Sequence, residues 1–108
     1  MALKMLSNQK ALNLLGLSLR AGQLVMGEGL VIKAIQQEKA KLVLVATDAS
    51  QATQAKFAAK GDTYSVPVLN AFTKEAMSQA LGRPRTIIAV VDQGFAKRLI
   101  ALLNTQGA

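Results

Sequence analysis

Residues 41–47, "KLVLVAT", form a continuous apolar run that is rich in β-branched valine. Such a run is typical of a strand buried on both faces of a sheet. A second run of this kind, "TIIAVVD", occupies residues 86–92. Two weaker candidates, "QLVMG" at residues 23–27 and "YSVPVLN" at residues 64–70, bring the predicted strands to four. Because Pro67 has no amide hydrogen, its strand is expected at a sheet edge or near a strand end.

Segments with helical spacing of apolar residues alternate with these strands, at residues 7–20, 28–40, 50–61, 73–82 and 93–104. The predicted N-caps are Ser7 or Asn8, Asp48 or Ser50, and Thr73, and the predicted helix ends are Ala21-Gly22, Gly61 and Gly82. This alternation is typical of an α/β protein in which helices cover both faces of a sheet. We therefore predict a three-layer α/β/α sandwich with a central four-stranded mixed sheet, formed by one domain over residues 1–108.

The composition argues against catalysis and against metal binding. The chain of 108 residues contains no cysteine and no histidine. It therefore lacks thiolate ligands, a cysteine nucleophile and the commonest general base. No cluster of carboxylates offers the several oxygen ligands that a metal ion needs. We expect no cofactor, no metal and no enzymatic activity, although an active site built on aspartate or lysine stays open as an alternative.

Two acidic residues, Asp48 and Asp92, have alternative interpretations. Asp48 and Asp92 each follow a predicted buried strand and precede a helix. Ligands often bind at such strand ends, but a carboxylate there also caps the helix that follows, and we favour capping. Glu38 is expected on an exposed helix face beside lysines.

The charge balance favours a polyanionic partner. Thirteen Lys and Arg residues face six Asp and Glu residues, for a net charge of +7. Nucleic acid is the leading candidate for such a small basic domain, and the alternative is charge that serves only solubility. The lysines are dispersed, no apolar run approaches the length of about 20 residues that spans a membrane, and polar residues 7–10 interrupt the N-terminal apolar segment. A cytoplasmic protein without membrane contact is therefore expected.

The stretch "MGEGLVIKAI", residues 26–35, places two glycines at a predicted helix start. A dinucleotide fingerprint requires a third glycine where Ile32 stands, and a P-loop requires Ser or Thr directly after the lysine, whereas alanine follows Lys33. Neither nucleotide motif is present. Glycines at a helix start nevertheless leave backbone N–H groups unshielded, and the helix dipole favours an anion there. A tight turn followed by a solvated lysine is the equally weighted alternative.

The runs "AGQLVMGEGLVIKAIQQEKAKLVLVATDAS" at residues 21–50, "VPV" at 66–68 and "QALGRPRTIIAVVD" at 79–92 resemble the ribosomal protein L7Ae superfamily. Within it, they are most similar to the bacterial YlxQ-like subgroup. The resemblance extends from the first helix to the last. It implies the same sandwich fold and binding of structured RNA, kink-turns above all. It also implies RNA contacts from the start of the second helix and from the loop before the last strand.

The kink-turn readers of this family carry glycine, a spacer and then Asn-Glu-x-Thr-Lys at the second helix. Gly27 and Lys33 match the glycine and the lysine, whereas glycine, leucine and isoleucine stand in place of Asn, Glu and Thr. Asn and Glu are the residues that touch the sheared G·A pairs of a kink-turn. The resemblance thus implies a surface of backbone and lysine without these side-chain contacts, formed by Gly27, Glu28, Gly29, Leu30 and Lys33.

The second contact implied by the resemblance is the loop "LGRPRT", residues 81–86. Gly82 allows the turn, Pro84 stiffens it, and Arg83 and Arg85 supply guanidinium groups that suit phosphates and base faces. A loop that is basic only for solubility is the alternative.

The leading hypothesis is a monomeric, non-enzymatic protein that binds structured RNA. The resemblance implies ribosomal or other translation-linked RNA as the target. A second hypothesis is a protein-interaction adaptor that docks a partner around Leu30 and Ile32 after loss of kink-turn recognition. A third is a domain that binds a small anion or nucleotide at residues 27–29.

Overall fold

The structure is a computed structural model that describes residues 2–104, with side chains from residue 8 onward. Helices and strands alternate over this range, as the sequence predicts. In chain order they are α1 (Ala2–Arg20), β1 (Leu24–Met26), α2 (Glu28–Gln36), β2 (Leu42–Val45), α3 (Gln51–Tyr64), β3 (Val68–Leu69), α4 (Lys74–Leu81), β4 (Ile87–Val90) and α5 (Gln93–Asn104). No helix of the described range is long and apolar enough to cross a membrane.

The four strands form one mixed sheet in the order β1-β4-β2-β3. Strand β4 runs antiparallel to β1 and to β2, whereas β2 and β3 are parallel. The two long apolar runs of the sequence thus contain the two central strands, β2 and β4. Every residue of these two strands is buried. Strand β3 lies at an edge, as Pro67 predicts; the proline carbonyl accepts a hydrogen bond from Val43 N–H at 2.9 Å.

Alternate residues of the central strands point to opposite faces of the sheet. Leu42, Leu44, Ile88 and Val90 belong to a core with buried residues of α1, α4 and α5. Val43, Val45 and Ala89 belong to a second core with buried residues of α2 and α3. The predicted three-layer α/β/α sandwich with a four-stranded mixed sheet is therefore confirmed.

The predicted start of the first helix and the predicted end of the second helix are wrong. Helix α1 begins at Ala2, so Ser7 and Asn8 lie inside it and do not cap it. The residues before them are Ala, Leu, Lys and Met, which favour helix, and none of residues 2–6 is Gly or Pro. The other end of α1 is as predicted, since the helix ends at Arg20 and Gly22 has φ 72°. Helix α2 ends at Gln36, four residues early, and Glu38 lies beyond it with φ 60°, not on a helix face.

A Schellman motif explains the early end of α2. The N–H of Glu38 donates to Ile35 O at 3.0 Å, and the N–H of Lys39 donates to Ala34 O at 2.9 Å. These bonds satisfy the last helical carbonyls and turn the chain towards β2. A glutamate occupies the left-handed position that glycine usually takes, so the sequence carries no sign of this turn.

The predicted end of the third helix at Gly61 is wrong. Helix α3 continues to Tyr64, and Ser65 is its C-cap residue with φ 57°. Gly61 instead faces strand β3 and is buried. A Cβ atom there would lie 2.6 Å from Val68 Cγ2 and 2.8 Å from Val66 O. This glycine is required for close packing of α3 on the sheet edge.

The predicted helix caps Ser50, Thr73, Gly82 and Asp92 are confirmed. Ser50 Oγ accepts from Thr53 N–H and Thr73 Oγ1 accepts from Ala76 N–H, each at 3.1 Å. Gly82 ends α4 with φ 74°. Asp92 Oδ2 accepts from Phe95 N–H at 2.9 Å, as expected for a cap of α5.

Asp48 caps a different helix from the one that follows it in sequence. Its Oδ1 atom accepts from Lys74 N–H at 2.9 Å, at the start of α4. The carboxylate therefore connects the β2–α3 loop to the N-terminus of α4 by a hydrogen bond.

Candidate nucleic-acid interface

The start of α2 is a helix N-terminus without a side-chain cap. Gly27 is the N-cap residue and has φ 98° and ψ 147°, a conformation that residues with a Cβ atom rarely adopt. Its N–H donates to Ile87 O at 3.1 Å, and its carbonyl accepts from Val31 N–H at 2.9 Å. The N–H groups of the first helical turn have no partner within the helix, so they are available to an anion in front of α2.

Glu28 is engaged by a cation of the neighbouring helix. Its Oε2 atom lies 3.3 Å from Nζ of Lys56 on α3, and both side chains are about half exposed. An exposed pair of this kind contributes at most about 1 kcal/mol to folding. The pair also changes the charge beside the α2 N-terminus, because the ammonium group of Lys56 neutralises the carboxylate of Glu28.

Gly29, Leu30 and Lys33 lie on the outer side of α2. The position of a Cβ on Gly29 has no atom within 4 Å, and Gly29 is outside the left-handed region that Gly27 occupies. Leu30 is 61% exposed, and Lys33 is also exposed. Because residues three and four apart are neighbours on a helix, Lys33 lies one turn below Gly29 and Leu30 on the same surface.

The loop of residues 82–86 leads from α4 into β4 and is tied back to α4. Gly82 N–H donates to Ser78 O at 2.8 Å, and Arg85 N–H donates to Ser78 Oγ at 3.1 Å. The Arg85 side chain is partly buried, and its Nη1 donates to Pro84 O at 3.1 Å. Its Nε atom is buried and has no hydrogen-bond partner in the described part of the chain. Arg83, by contrast, is exposed.

A groove of about 340 Å³ joins the two predicted contact elements. It is lined by Gly27, Glu28, Thr53, Lys74, Pro84, Arg85, Thr86 and Ile87, and we call it the basic groove. The antiparallel pairing of Met26 with Ile88 brings the elements together, because the exit of β1 lies beside the entry of β4. Of the eight predicted site residues, Gly27, Glu28, Pro84 and Arg85 line the groove, whereas the other four lie outside its lining.

Three residues near this groove carry no signal in the sequence. Lys74 and Thr53 line it from the first turns of α4 and α3, and Lys56 reaches it through Glu28. The Asp48 bond to Lys74 N–H holds the α4 N-terminus in place beside β2. The local pattern does not mark these residues, because their position beside α2 depends on the strand order.

The described residues around the basic groove contain no cluster of metal ligands. Within the described residues, no group of three or more Asp or Glu side chains could hold a metal ion. The groove offers backbone amides, two threonine hydroxyl groups, an ammonium group and a guanidinium group, beside the carboxylate of Glu28. Such a donor set suits a phosphate ligand.

The sequence matches a known family model and named relatives. A model of the Ribosomal protein L7Ae/L30e/S12e/Gadd45 family matches residues 9–100. RNA-binding protein YlxQ of Enterococcus faecium is 45% identical over 98 residues, which cover 91% of this chain and 95% of that protein. RNA-binding protein YlxQ of Bacillus subtilis (strain 168) is 45% identical over 92 residues, with coverages of 84% and 92%.

Solved structures share the fold. A protein with unknown function from Bacillus halodurans C superposes with a TM-score of 0.86 at 38% sequence identity, over 88% of this chain and 97% of that chain. The Giardia lamblia 15.5kD RNA binding protein superposes with a TM-score of 0.77 at 17% identity, over 94% and 88% of the two chains. At that identity, the second likeness concerns the fold alone.

Proposed function

Because this chain belongs to the ribosomal protein L7Ae/L30e/S12e/Gadd45 family, we propose that it is a non-enzymatic protein that binds structured RNA. Two relatives that are 45% identical to it are named as RNA-binding proteins, which supports the proposal. The proposed target is ribosomal or other translation-linked RNA, in keeping with the ribosomal proteins of the family. The proposed acting unit is a cytoplasmic monomer.

The observation that carries the proposal is the basic groove between the α2 N-terminus and the loop of residues 82–86. On one side the first-turn amides and the dipole of α2 favour a phosphate. On the other side Arg85 lines the groove with its partly buried side chain, and Lys74 adds an ammonium group. The carboxylate of Glu28 is paired with Lys56, so the local balance stays positive.

An RNA strand in this groove would be held by its backbone. Lys33 extends the phosphate-binding surface along α2, and Arg83 extends it along the loop, since both are exposed. Phosphate contacts fix the position of a nucleic acid, whereas contacts to base edges carry sequence information. Gly29 and Leu30 offer no side-chain donor or acceptor for base edges, so we propose a grip on backbone and shape with weak selection for G·A pairs.

Matched charge removals test the site. Lys33→Ala and the double change Arg83→Ala with Arg85→Ala should each weaken binding to a structured rRNA fragment several-fold, measured by fluorescence anisotropy. The controls remove the same number of charges from exposed positions of α5: Lys97→Ala, and Lys97→Ala with Arg98→Ala. Thermal unfolding of the Lys33, Lys97 and Arg98 variants should change little, because exposed charges contribute little to stability, and unfolding of the double loop variant is measured to confirm that it is folded.

The controls decide between a defined site and general attraction. Equal losses in the α2, loop and α5 variants would mean diffuse attraction of RNA to a basic protein and would refute the site. No measurable binding of any structured RNA by the natural chain would refute the function itself.

The exposure of Leu30 favours a second candidate, a protein-interaction adaptor that docks a partner at Leu30 and the neighbouring Ile32. The absorbance ratio at 260 and 280 nm of the protein purified from cells separates the two candidates. The ratio is sensitive to bound nucleic acid because the chain has no Trp and one Tyr. Copurified RNA favours RNA binding, and a clean protein that binds RNA no better than its Lys33→Ala variant favours the adaptor.

A further inference from the structure

A second groove lies across the sheet from α2 and α3, between α1 and α5. Its volume is about 450 Å³, and we call it the α1–α5 groove. Leu14 and Leu17 of α1 and Ala101 and Leu102 of α5 supply its apolar lining, with Lys10 and Arg98 also along it. It shares no lining residue with the basic groove.

The lining follows the periodicity of two packed helices. Lys10, Leu14 and Leu17 are spaced i, i+4 and i+7 on α1, so they form one stripe along that helix. Leu14 is buried, whereas Leu17 is 48% exposed. A single exposed leucine has no functional meaning by itself. Leu17 differs because it is part of the wall of a concave apolar surface.

The charges around this groove have one sign. Among the described side chains, helix α1 carries Lys10 and Arg20, and helix α5 carries Lys97 and Arg98. Neither helix contains an Asp or Glu residue. Each wall of the groove therefore contributes one cation, Lys10 from α1 and Arg98 from α5, with no carboxylate on either helix to neutralise it.

We infer that the α1–α5 groove docks an acidic amphipathic helix of a partner protein. Apolar side chains at i, i+3 or i+4, and i+7 of the partner would enter between Leu14, Leu17 and Leu102, as in other helix-in-groove complexes. Carboxylates flanking that apolar stripe would pair with Lys10 and Arg98. The charge complementarity selects the acidic partner, and the aliphatic lining selects a helix with leucine-like residues.

The same features disfavour the other occupants. RNA bases stack on aromatic side chains, and none lines this groove. A second copy of this chain would bring another basic surface, because the net charge is +7. Since the groove and the RNA surface use different residues, one molecule can hold a partner protein and RNA together. The inference does not rest on RNA binding.

A displayed library of random 16-residue peptides tests the inference on the full-length chain. Peptides are selected on the natural protein and counter-selected on the Lys10→Glu, Arg98→Glu variant. The matched control, Lys39→Glu with Lys60→Glu, makes the same charge change on other elements. Enriched peptides should be acidic, with apolar residues at i, i+3 or i+4, and i+7. They should bind the groove variant at least tenfold more weakly than the natural protein and should bind the control variant equally well.

The location of binding is read from amide chemical shifts of the labelled protein. The selected peptide should shift amides around Leu14, Leu17 and Ala101 and leave those around Gly27 and Arg85 unchanged. Absence of enrichment, enrichment without acidic bias, or shifts outside α1 and α5 would overturn the inference. Groove shifts caused by concentrating the protein alone would assign the groove to a second copy, and groove shifts caused by RNA would assign it to RNA; either result also overturns it.

Discussion

Restoring two side chains at the start of α2 should create selectivity for kink-turn RNA. The change is Gly29→Asn together with Leu30→Glu, the residues that kink-turn readers carry there. The structure permits both. A Cβ on Gly29 meets no atom within 4 Å, and Gly29 is not among the residues with positive φ. Leu30 is 61% exposed, so its replacement opens no cavity. Stability should change by about 0.5 kcal/mol or less, as for other surface substitutions.

The size of the gain follows from the worth of one base contact. A good bidentate contact discriminates by about 1–3 kcal/mol in DNA, and the same scale is taken for RNA. Since about 1.4 kcal/mol is a factor of ten, one restored contact should widen the preference for intact G·A pairs by roughly 5- to 150-fold. The natural protein should discriminate by less than about tenfold, because the contacts that we propose are with the RNA backbone. The added carboxylate repels phosphates, so both affinities should fall and the ratio is the quantity to compare.

The assay is a set of titrations with a standard kink-turn and with the same RNA whose G·A pairs are disrupted. The natural protein, the restored variant and a Gly29→Ala, Leu30→Ala control are compared at one salt concentration. The control loses the same glycine and leucine but gains no hydrogen-bonding group, so its ratio should equal that of the natural protein. Strong discrimination by the natural protein would show that other residues read the pairs. A folded restored variant with an unchanged ratio would show that the RNA does not lie along Gly29 and Leu30.

Three further outcomes are expected. If three to five phosphates are bound, the logarithm of the association constant should fall with the logarithm of salt concentration at a slope of about −2 to −4.5, and flat binding would refute the electrostatic account. Lys74→Ala should weaken RNA binding as much as Lys33→Ala, because Lys74 lines the basic groove; a loss no greater than that of Lys97→Ala would exclude it. Gly61→Ala should lower the unfolding free energy by about 1–3 kcal/mol in a denaturant titration, since the new methyl group meets Val68 and a backbone oxygen. Helix propensity alone would give a gain of up to about 1 kcal/mol, so stabilisation would contradict the packing.

The candidate site was predictable where a residue acts through its own backbone or its own chemistry. The glycine at the α2 start and Arg85 could be identified from the sequence, and the resemblance assigned them to one surface; both line the basic groove, whereas Arg83 lies outside its lining. Lys74, Thr53 and Lys56 were not predictable, because each lies in a different helix from α2. Their contribution depends on distances between helices, which periodicity does not contain.

The sequence by itself determined the helices and strands and the faces that they bury. The spacing of apolar residues and the side chains that cap a helix lie within a few residues of each other in the chain. The runs at residues 41–47 and 86–92 became the central strands, and Ser50, Thr73 and Gly82 took their predicted cap positions. The tertiary structure decided what depends on contacts between distant residues. Strand order placed residues 82–86 beside α2, close packing on Val68 made Gly61 a contact instead of a helix end, and a bond to Lys74 made Asp48 the partner of α4. In each case the deciding energy comes from atoms far apart in sequence, and so no local pattern records it.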